Sequence, residues 1–235
     1  MTLTESSGSG MSPSIRAKVE RYSAEISSIA KDQLVSVAIF GAAVTRDWRP
    51  SWPIHHVIVT TTDDLDLITG LGRGLRRQAL KIGLSAPLLV TREMIASSLD
   101  TFPLEWLEIR TCHETVGGTE VFNSLTCDRE PLRLQCERES LTIAMTLRQR
   151  ALSLGSGDMP LADLAEQAVR VARGLIHFTS GSSLAAPSDV IAQASTLLSI
   201  DLKPIMAAWN GEVGTVATKR MYDALTQLGK KSDRA

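Results

Sequence analysis

The stretch LVSVAIFG at residues 34–41 decides the fold of the first half of the chain. It is short, apolar and rich in β-branched residues, and it ends on a glycine, which is typical of a buried β-strand. A second run of this kind, HHVIVTTT at residues 55–62, follows a loop that contains Pro50 and Pro53. We therefore interpret the two runs as the central strands of a sheet.

The segments on either side of these strands have helical periodicity. Apolar residues recur every three or four positions over residues 15–29, which predicts an amphipathic first helix with Ser14 as its candidate N-cap. After the second strand, Asp64 and Asp66 open another helical pattern that ends near Gly83. Acidic residues in a first turn favour the helix dipole, so we interpret these aspartates as part of a helix start.

Shorter elements continue the alternation. Residues 86–91 predict a third strand, residues 92–100 a short helix, and PLEWLEIR at residues 103–110 a fourth strand. Strands that alternate with helices in this way indicate a mixed sheet covered by helices.

The second half of the chain has helical patterns only. They cover residues 132–154, 161–178, 188–198, 202–209 and 216–228, and runs rich in glycine, serine and proline separate them. This half is therefore predicted to be an all-helical bundle. The resulting domain organisation is a flexible tail at residues 1–13, where serine and glycine dominate, an α/β domain at 14–128 and a helical bundle at 129–230.

Composition limits the classes of partner. The chain has 235 residues, of which 43% are hydrophobic, and this is enough for a sizeable core. Its formal net charge of -1 counts against a nucleic-acid partner, because no basic field attracts a phosphate backbone. We find neither a secretion signal nor an apolar run of about 18 residues, so we expect a cytoplasmic protein with no membrane partner. The cysteines Cys112, Cys127 and Cys136 lack a disulfide or zinc spacing.

The order of these motifs resembles a bacterial group of nucleotidyltransferase-like proteins. Phe40 and Gly41 close the first strand, PLLVT follows at residues 87–91, and LDTFPLEWLEI at 99–109 precedes REPLRLQCERE at 129–139. The resemblance covers most of the chain and is most specific over residues 98–150. It implies a nucleotidyltransferase-like mixed sheet with flanking helices, followed by an all-helical bundle.

The resemblance also implies where a catalytic site would lie. In that superfamily a serine after the strand-ending glycine helps to hold a triphosphate, and the next strand carries two acids, one residue apart, that bind magnesium. Here Gly41 is followed by Ala42, and the two acid positions fall on Ile54 and His56. Neither side chain is a magnesium ligand, because this hard cation requires oxygen donors. We therefore expect no catalytic residue, no metal site and no cofactor.

Two further sets of residues are candidates for the cleft that would hold this catalytic site. A third acid would come from Glu105 or Glu108, which on a strand would point to opposite faces. Thr45, Arg46 and Arg49 lie close to the glycine turn and are possible contacts for an anion.

Our leading interpretation is a degenerate, catalytically inactive nucleotidyltransferase-like protein that binds a small ligand or a protein partner. One alternative is an active nucleotidyltransferase, binding magnesium and a nucleoside triphosphate, with an atypical metal site built from Asp64, Asp66 and Glu105 or Glu108. Another is a ribonuclease in the helical half, where the spacing of Arg170 and His177 is similar to the Arg/His motif of helical ribonuclease domains.

Other reactive residues have simpler explanations. His55 and His56 are adjacent on a strand and point to opposite faces, so one ion cannot easily bind both. Arg73, Arg76, Arg77 and Lys81 indicate a solvated charged helix face. Cys112 and His113 are sequence neighbours without an orienting third group, which favours a packed cysteine at a strand end.

Overall fold

Four strands form one sheet within residues 10–155, 157 and 159–233, the part of the chain that the computed structural model describes. They are β1 (Leu34–Phe40), β2 (His55–Thr60), β3 (Leu88–Thr91) and β4 (His113–Gly118). Their order is β3-β2-β1-β4, with β1 antiparallel to both neighbours and β2 parallel to β3. The predicted mixed sheet is therefore confirmed.

Helices account for most of the remaining described residues. They are α1 (Pro13–Ala30), α2 (Leu65–Ile82), α3 (Arg92–Ser97), α4 (Pro103–Thr111), α5 (Arg129–Leu154), α6 (Ala162–Ser180), α7 (Pro187–Leu198), α8 (Lys203–Trp209) and α9 (Thr215–Ser232). None of the described helices is both long and apolar enough to cross a bilayer.

The chain divides into two compact units. The sheet unit comprises Met1–Leu99 and Glu108–Thr126, and the helical unit comprises Asp100–Leu107 and Cys127–Ala235. The predicted division into residues 14–128 and 129–230 differs from this one mainly in placing residues 100–107 with the sheet. Those residues contain the first part of α4, whose backbone contacts place it in the helical unit.

The central strands are buried on both faces, which explains their nearly continuous apolar sequence. Val37, Ala38 and Ile39 of β1 are at most 1% exposed. In the same sheet, Val57 and Ile58 of β2 are completely buried. A strand covered on both faces has no need for a polar side, so its sequence shows no alternation.

The helices predicted from local periodicity are confirmed. Asp64 is the N-cap of α2, where its Oδ1 accepts a hydrogen bond of 2.9 Å from the Leu67 amide. Gly83 ends the same helix in the left-handed conformation that favours glycine. In the helical unit, α5 to α9 follow the five predicted segments within a few residues, and α6 packs against α5, α7 and α8.

The N-terminal predictions need two corrections. Ser12, and not Ser14, caps α1, and Pro13 occupies a first-turn position that suits its missing N–H group. Residues 10–13 are also not part of a flexible tail, because Met11 is 7% exposed and the Gly10 amide donates to the Thr45 carbonyl at 2.8 Å. Residues 1–9 of the predicted tail lie outside the described residues.

The prediction of a strand at PLEWLEIR was wrong, because residues 103–111 form helix α4. Leu104, Trp106, Leu107 and Ile109 are all at most 4% exposed, so burial on several sides removes the one-sided stripe that marks a surface helix. A short apolar run of this kind cannot be assigned from periodicity alone.

The fourth strand is β4, which the sequence did not indicate. Its residues HETVGG are mostly polar or glycine, and two glycines usually mark a turn. Here both glycines allow close packing. A Cβ on Gly117 would lie 2.3 Å from Ser23 Oγ, and one on Gly118 would lie 2.3 Å from the Val35 carbonyl oxygen.

Candidate functional site

The candidate site begins at the turn after β1. Gly41 has a φ of +75°, a conformation that favours glycine, and it opens a 3₁₀ turn that runs to Val44. Its amide donates a hydrogen bond of 2.8 Å to the Cys112 carbonyl, which fixes the turn against the residue before β4. A Cβ at residue 41 would make only ordinary van der Waals contacts, so the backbone conformation, and not close packing, is what favours glycine here.

Two ionisable side chains of the sheet unit lie beside this turn. A Cβ placed on Gly41 would be 3.9 Å from Glu108 Oε1 and 3.9 Å from His55 Cδ2. Glu108 is only 6% exposed. His55 stacks on Phe40 with ring centroids 5.8 Å apart, and its Nδ1 lies 3.2 Å from Ser85 Oγ. We call Gly41, His55 and Glu108 the glycine-turn site.

The predicted cleft positions Ile54 and His56 do not face this site. Phe40 pairs with His55 across the sheet, whereas Ile39 pairs with His56, so the two histidines lie on opposite faces. His56 Nε2 is 3.0 Å from the Tyr22 hydroxyl of α1, and Ile54 is 1% exposed. The face of β2 that approaches Gly41 therefore carries His55.

Moving the expected acid pair by one residue, so that it includes His55, does not supply the missing magnesium-binding carboxylates. Alternate residues of a strand share a face, so the partner of His55 in the family spacing is Pro53. Neither pair, Pro53 with His55 or Ile54 with His56, contains a carboxylate. The donor set at the start of β2 does not fit a magnesium ion in either register.

The predicted anion contacts take different positions. Thr45 is completely buried, and its hydroxyl donates to the Ala42 carbonyl at 2.8 Å and accepts from the Asp47 amide at 3.3 Å. This hydroxyl closes the turn and does not replace the serine of the family. Arg46 and Arg49 are exposed on the loop that follows.

Glu105 and Glu108 are three residues apart on a helix, so the prediction that they point to opposite faces of a strand was wrong. Glu105 belongs to the helical unit, where it accepts a hydrogen bond of 2.8 Å from Gln135 Nε2 and lies 3.7 Å from Arg170 Nη1. Glu108 belongs to the sheet unit. The glycine-turn site thus includes one of the two predicted glutamates.

The aspartates of the atypical metal site are held elsewhere. Asp64 caps α2, and Asp66 lies in the first turn of that helix, as the helix-start interpretation requires. Within residues 10–155, 157 and 159–233, no group of three or more His, Cys, Asp or Glu side chains is arranged to hold a metal ion.

A cluster at the start of β4 was missed by sequence reasoning. His113 Nδ1 lies 2.7 Å from the Ile109 carbonyl oxygen, and its Nε2 lies 2.9 Å from Glu120 Oε2. Each ring nitrogen of His113 therefore faces an oxygen that can accept a hydrogen bond. Burial alone would raise the pKa of Glu120, but hydrogen bonds from Thr115, His113 and the Phe122 amide outweigh it and lower the pKa to about 2.

No short sequence motif indicates this cluster, because its residues come from a helix end, a strand and a turn. Its hydrogen bonds involve both ring nitrogens of His113, which gives this side chain a structural role. Cys112 is 1% exposed, as expected for a packed cysteine, but it follows the helix α4 and not the predicted strand.

The helical unit places Arg170 and His177 on α6 with separate partners. Arg170 approaches Glu105, as described above, whereas His177 Nδ1 lies 3.3 Å from both the Ser182 carbonyl oxygen and Ser183 Oγ. These contacts connect His177 to the turn after α6. They give the ribonuclease alternative no specific support.

His56 predicts an acid sensitivity of the sheet unit. Burial, together with the nearby His55, lowers the pKa of His56 from its ordinary value of 6.5 to about 4. The unfolded chain therefore binds a proton more readily, and the stability present above pH 6.5 is lost as the pH falls towards 4. The expected loss is up to about 3 kcal/mol, at 1.36 kcal/mol per pKa unit.

Urea unfolding of the whole chain between pH 7.5 and about 5 measures this effect. In the His56→Gln variant the pH dependence should be reduced, while the amide group of the new side chain can still form a hydrogen bond with the Tyr22 hydroxyl. His55→Gln is the matched control: the neighbouring histidine is only half-buried, and this variant should keep most of the pH dependence because burial is the main cause of the lowered pKa of His56. Equal pH slopes for wild type and His56→Gln would contradict the assignment.

The mixed sheet, the glycine turn after its central strand β1, and the helical unit define a nucleotidyltransferase-like fold. The solved structure of spectinomycin adenyltransferase AAD(9) from Enterococcus faecialis, with ATP and spectinomycin, is similar to this chain. The TM-score is 0.57 at 10% sequence identity, and the match covers 92% of this chain and 100% of that chain. No protein-family model and no curated protein sequence matches the chain.

At 10% identity this likeness shows the fold alone. It supports the nucleotidyltransferase-like fold expected from the sequence, whereas membership of the particular bacterial group stays a prediction.

Proposed function

We propose that this protein is a nucleotidyltransferase-like protein without two-metal nucleotidyl transfer, and that its glycine-turn site binds a small ligand or a protein partner. The proposal rests on the residues at the start of β2. The magnesium-binding acid pair could fall on Pro53 and His55 or on Ile54 and His56, and neither pair contains a carboxylate. Two magnesium ions on a triphosphate require several closely placed oxygen ligands. Glu108 alone does not provide them.

The same residues favour binding over transfer. The Thr45 hydroxyl is already bonded within the turn, so it does not take the place of the phosphate-holding serine. Beside the backbone of Gly41 lie the Glu108 carboxylate and the His55 imidazole, which stacks on Phe40. A flat group or a hydrogen-bond donor fits this set better than a polyphosphate.

A transfer assay tests the catalytic half of the proposal. The protein is incubated with ATP labelled at the α-phosphate and magnesium, with spectinomycin present or absent, and labelled products and labelled protein are both measured. We expect no magnesium-dependent transfer. Transfer that is lost in Glu108→Gln and retained in Glu105→Gln would overturn the proposal, because Glu105 belongs to the helical unit.

Thermal unfolding tests the binding half. Millimolar magnesium alone should leave the thermal midpoint nearly unchanged, since only a ligand that binds the native state raises it. ATP, adenosine and spectinomycin are then compared with and without magnesium. We expect any rise to be independent of magnesium, absent in His55→Ala and in Glu108→Gln, and preserved in Glu105→Gln. A rise of several degrees that requires magnesium would contradict this expectation.

A further inference from the structure

A cavity lies in the sheet unit, between α2 and the strands β2 and β3. Its volume is about 450 Å³, within the range of roughly 300–1,000 Å³ that is common for small-molecule sites. The walls are mainly apolar and include Ile58, Leu71, Leu75, Leu84 and Leu89. Burial of hydrocarbon is therefore the main interaction that this cavity offers.

Gly72 of α2 helps to keep this space open. A glycine inside a helix lowers its stability, so its presence calls for a reason. At Gly74 the reason is packing, since a Cβ there would lie 2.5 Å from Ile29 Cδ1. At Gly72, which lines the cavity, a Cβ would meet no atom within 4 Å. A side chain at residue 72 would therefore not clash with neighbouring groups. The absence of a side chain there adds volume to the cavity.

Arg76 supplies a charge at the edge of the cavity. It lies four residues after Gly72 and hence on the same side of α2, and it lines the cavity with an exposed side chain. Among the described residues, its guanidinium has no hydrogen-bond or ion-pair partner. An arginine fork matches the two oxygens of a carboxylate.

We propose that this cavity binds an amphipathic monocarboxylate, with its unbranched hydrocarbon chain among the leucines and its carboxylate on Arg76. One arginine and an apolar wall match a single anionic head on an apolar tail. A polyanion such as a nucleotide would need more cations, and the adjacent Arg73 and Arg77 do not line the cavity. The cavity involves different residues from the glycine-turn site, so this proposal goes beyond the proposed function.

Calorimetric titration of the whole chain with octanoate, decanoate and dodecanoate, each below its micelle concentration, tests the apolar half. Affinity should rise roughly tenfold for each two methylene groups that become buried. Decanol, which has the same chain without the charge, should bind more weakly than decanoate. No binding of dodecanoate at millimolar concentration, or an affinity independent of chain length, would overturn the proposal.

Two variants on α2, each with a matched control, test the assigned residues. Arg76→Gln should weaken decanoate at least about tenfold and leave decanol unchanged, while Arg77→Gln should bind decanoate like the wild type. Gly72→Leu should fill the cavity and abolish binding of both probes. Gly70→Leu is its control, because Gly70 also has open space around its Cβ but does not line the cavity.

Circular dichroism and the thermal midpoint confirm that each variant is folded. Wild-type affinity for decanoate in both Arg76→Gln and Gly72→Leu would refute the site. A loss that is equal in Gly70→Leu and Gly72→Leu would refute the filling of the cavity as its cause.

Discussion

Replacing Arg173 by alanine is expected to lower the free energy of unfolding of the helical unit by about 3–5 kcal/mol. Arg173 lies on α6 and is only 2% exposed. Its Nε donates to the Leu184 carbonyl at 3.0 Å, and its Nη2 donates to the Ala185 carbonyl at 3.1 Å. The side chain thereby holds the connection between α6 and α7 against α6.

The size of the expected loss has two causes. Removing the guanidinium leaves the two carbonyl groups without these charged donors, and hydrogen bonds from a charged group are stronger than neutral ones. The truncation also leaves a large space in a closely packed interior. Lysine would not restore the native stability, because its ammonium group cannot reproduce the planar fork of donors.

Urea unfolding measures the loss, and Arg170→Ala is the matched control on the same helix. The Arg170 side chain is 25% exposed, and its ion pair with Glu105 is 3.7 Å long. A partly solvated pair of this length contributes about 1 kcal/mol or less. If Arg173→Ala were as stable as Arg170→Ala, the assigned role of the buried guanidinium would be wrong.

The Gly118→Ala substitution should destabilise the sheet unit by about 3–5 kcal/mol, through backbone strain and overpacking together. Gly118 ends β4 with a φ of +72°, a conformation that L side chains rarely adopt. The added Cβ would lie 2.3 Å from the Val35 carbonyl oxygen and 2.9 Å from Ser36 Cα. Since these are backbone atoms of an adjacent strand, the strands themselves must separate.

Gly83→Ala separates the two contributions. Gly83 has a φ of +83°, but a Cβ there would meet no atom within 4 Å. Its substitution should therefore show only the strain of the left-handed conformation, about 1–2 kcal/mol. Chemical unfolding of both variants gives the comparison. Equal losses would show that the contact with β1 does not contribute.

The helices and central strands could be predicted because their signals are local. Asp64 and Gly83 mark the two ends of α2 through hydrogen bonds and dihedral angles within a few residues. The apolar run of β1 similarly reflects burial on both sides of one strand. A structural pattern that depends only on residues close in sequence can be recognised from the sequence of that segment.

α4 and β4 could not be predicted in this way. Buried side chains surround α4, so its sequence lacks a polar face, while β4 contains two glycines that a turn would also favour. Contacts with distant residues decide both elements. Gly118, for example, has to accommodate a backbone that is more than eighty residues away in sequence.

The sequence by itself determined that no carboxylate pair stands at the start of β2, because Pro53, Ile54, His55 and His56 exclude it in either register. The amino-acid sequence alone determines which side chains a segment carries. Only the tertiary structure decided that His55 faces Gly41 while His56 lies against Tyr22. That choice depends on the pairing of β2 with β1, and a shift of one residue in such a pairing exchanges the two faces of a strand.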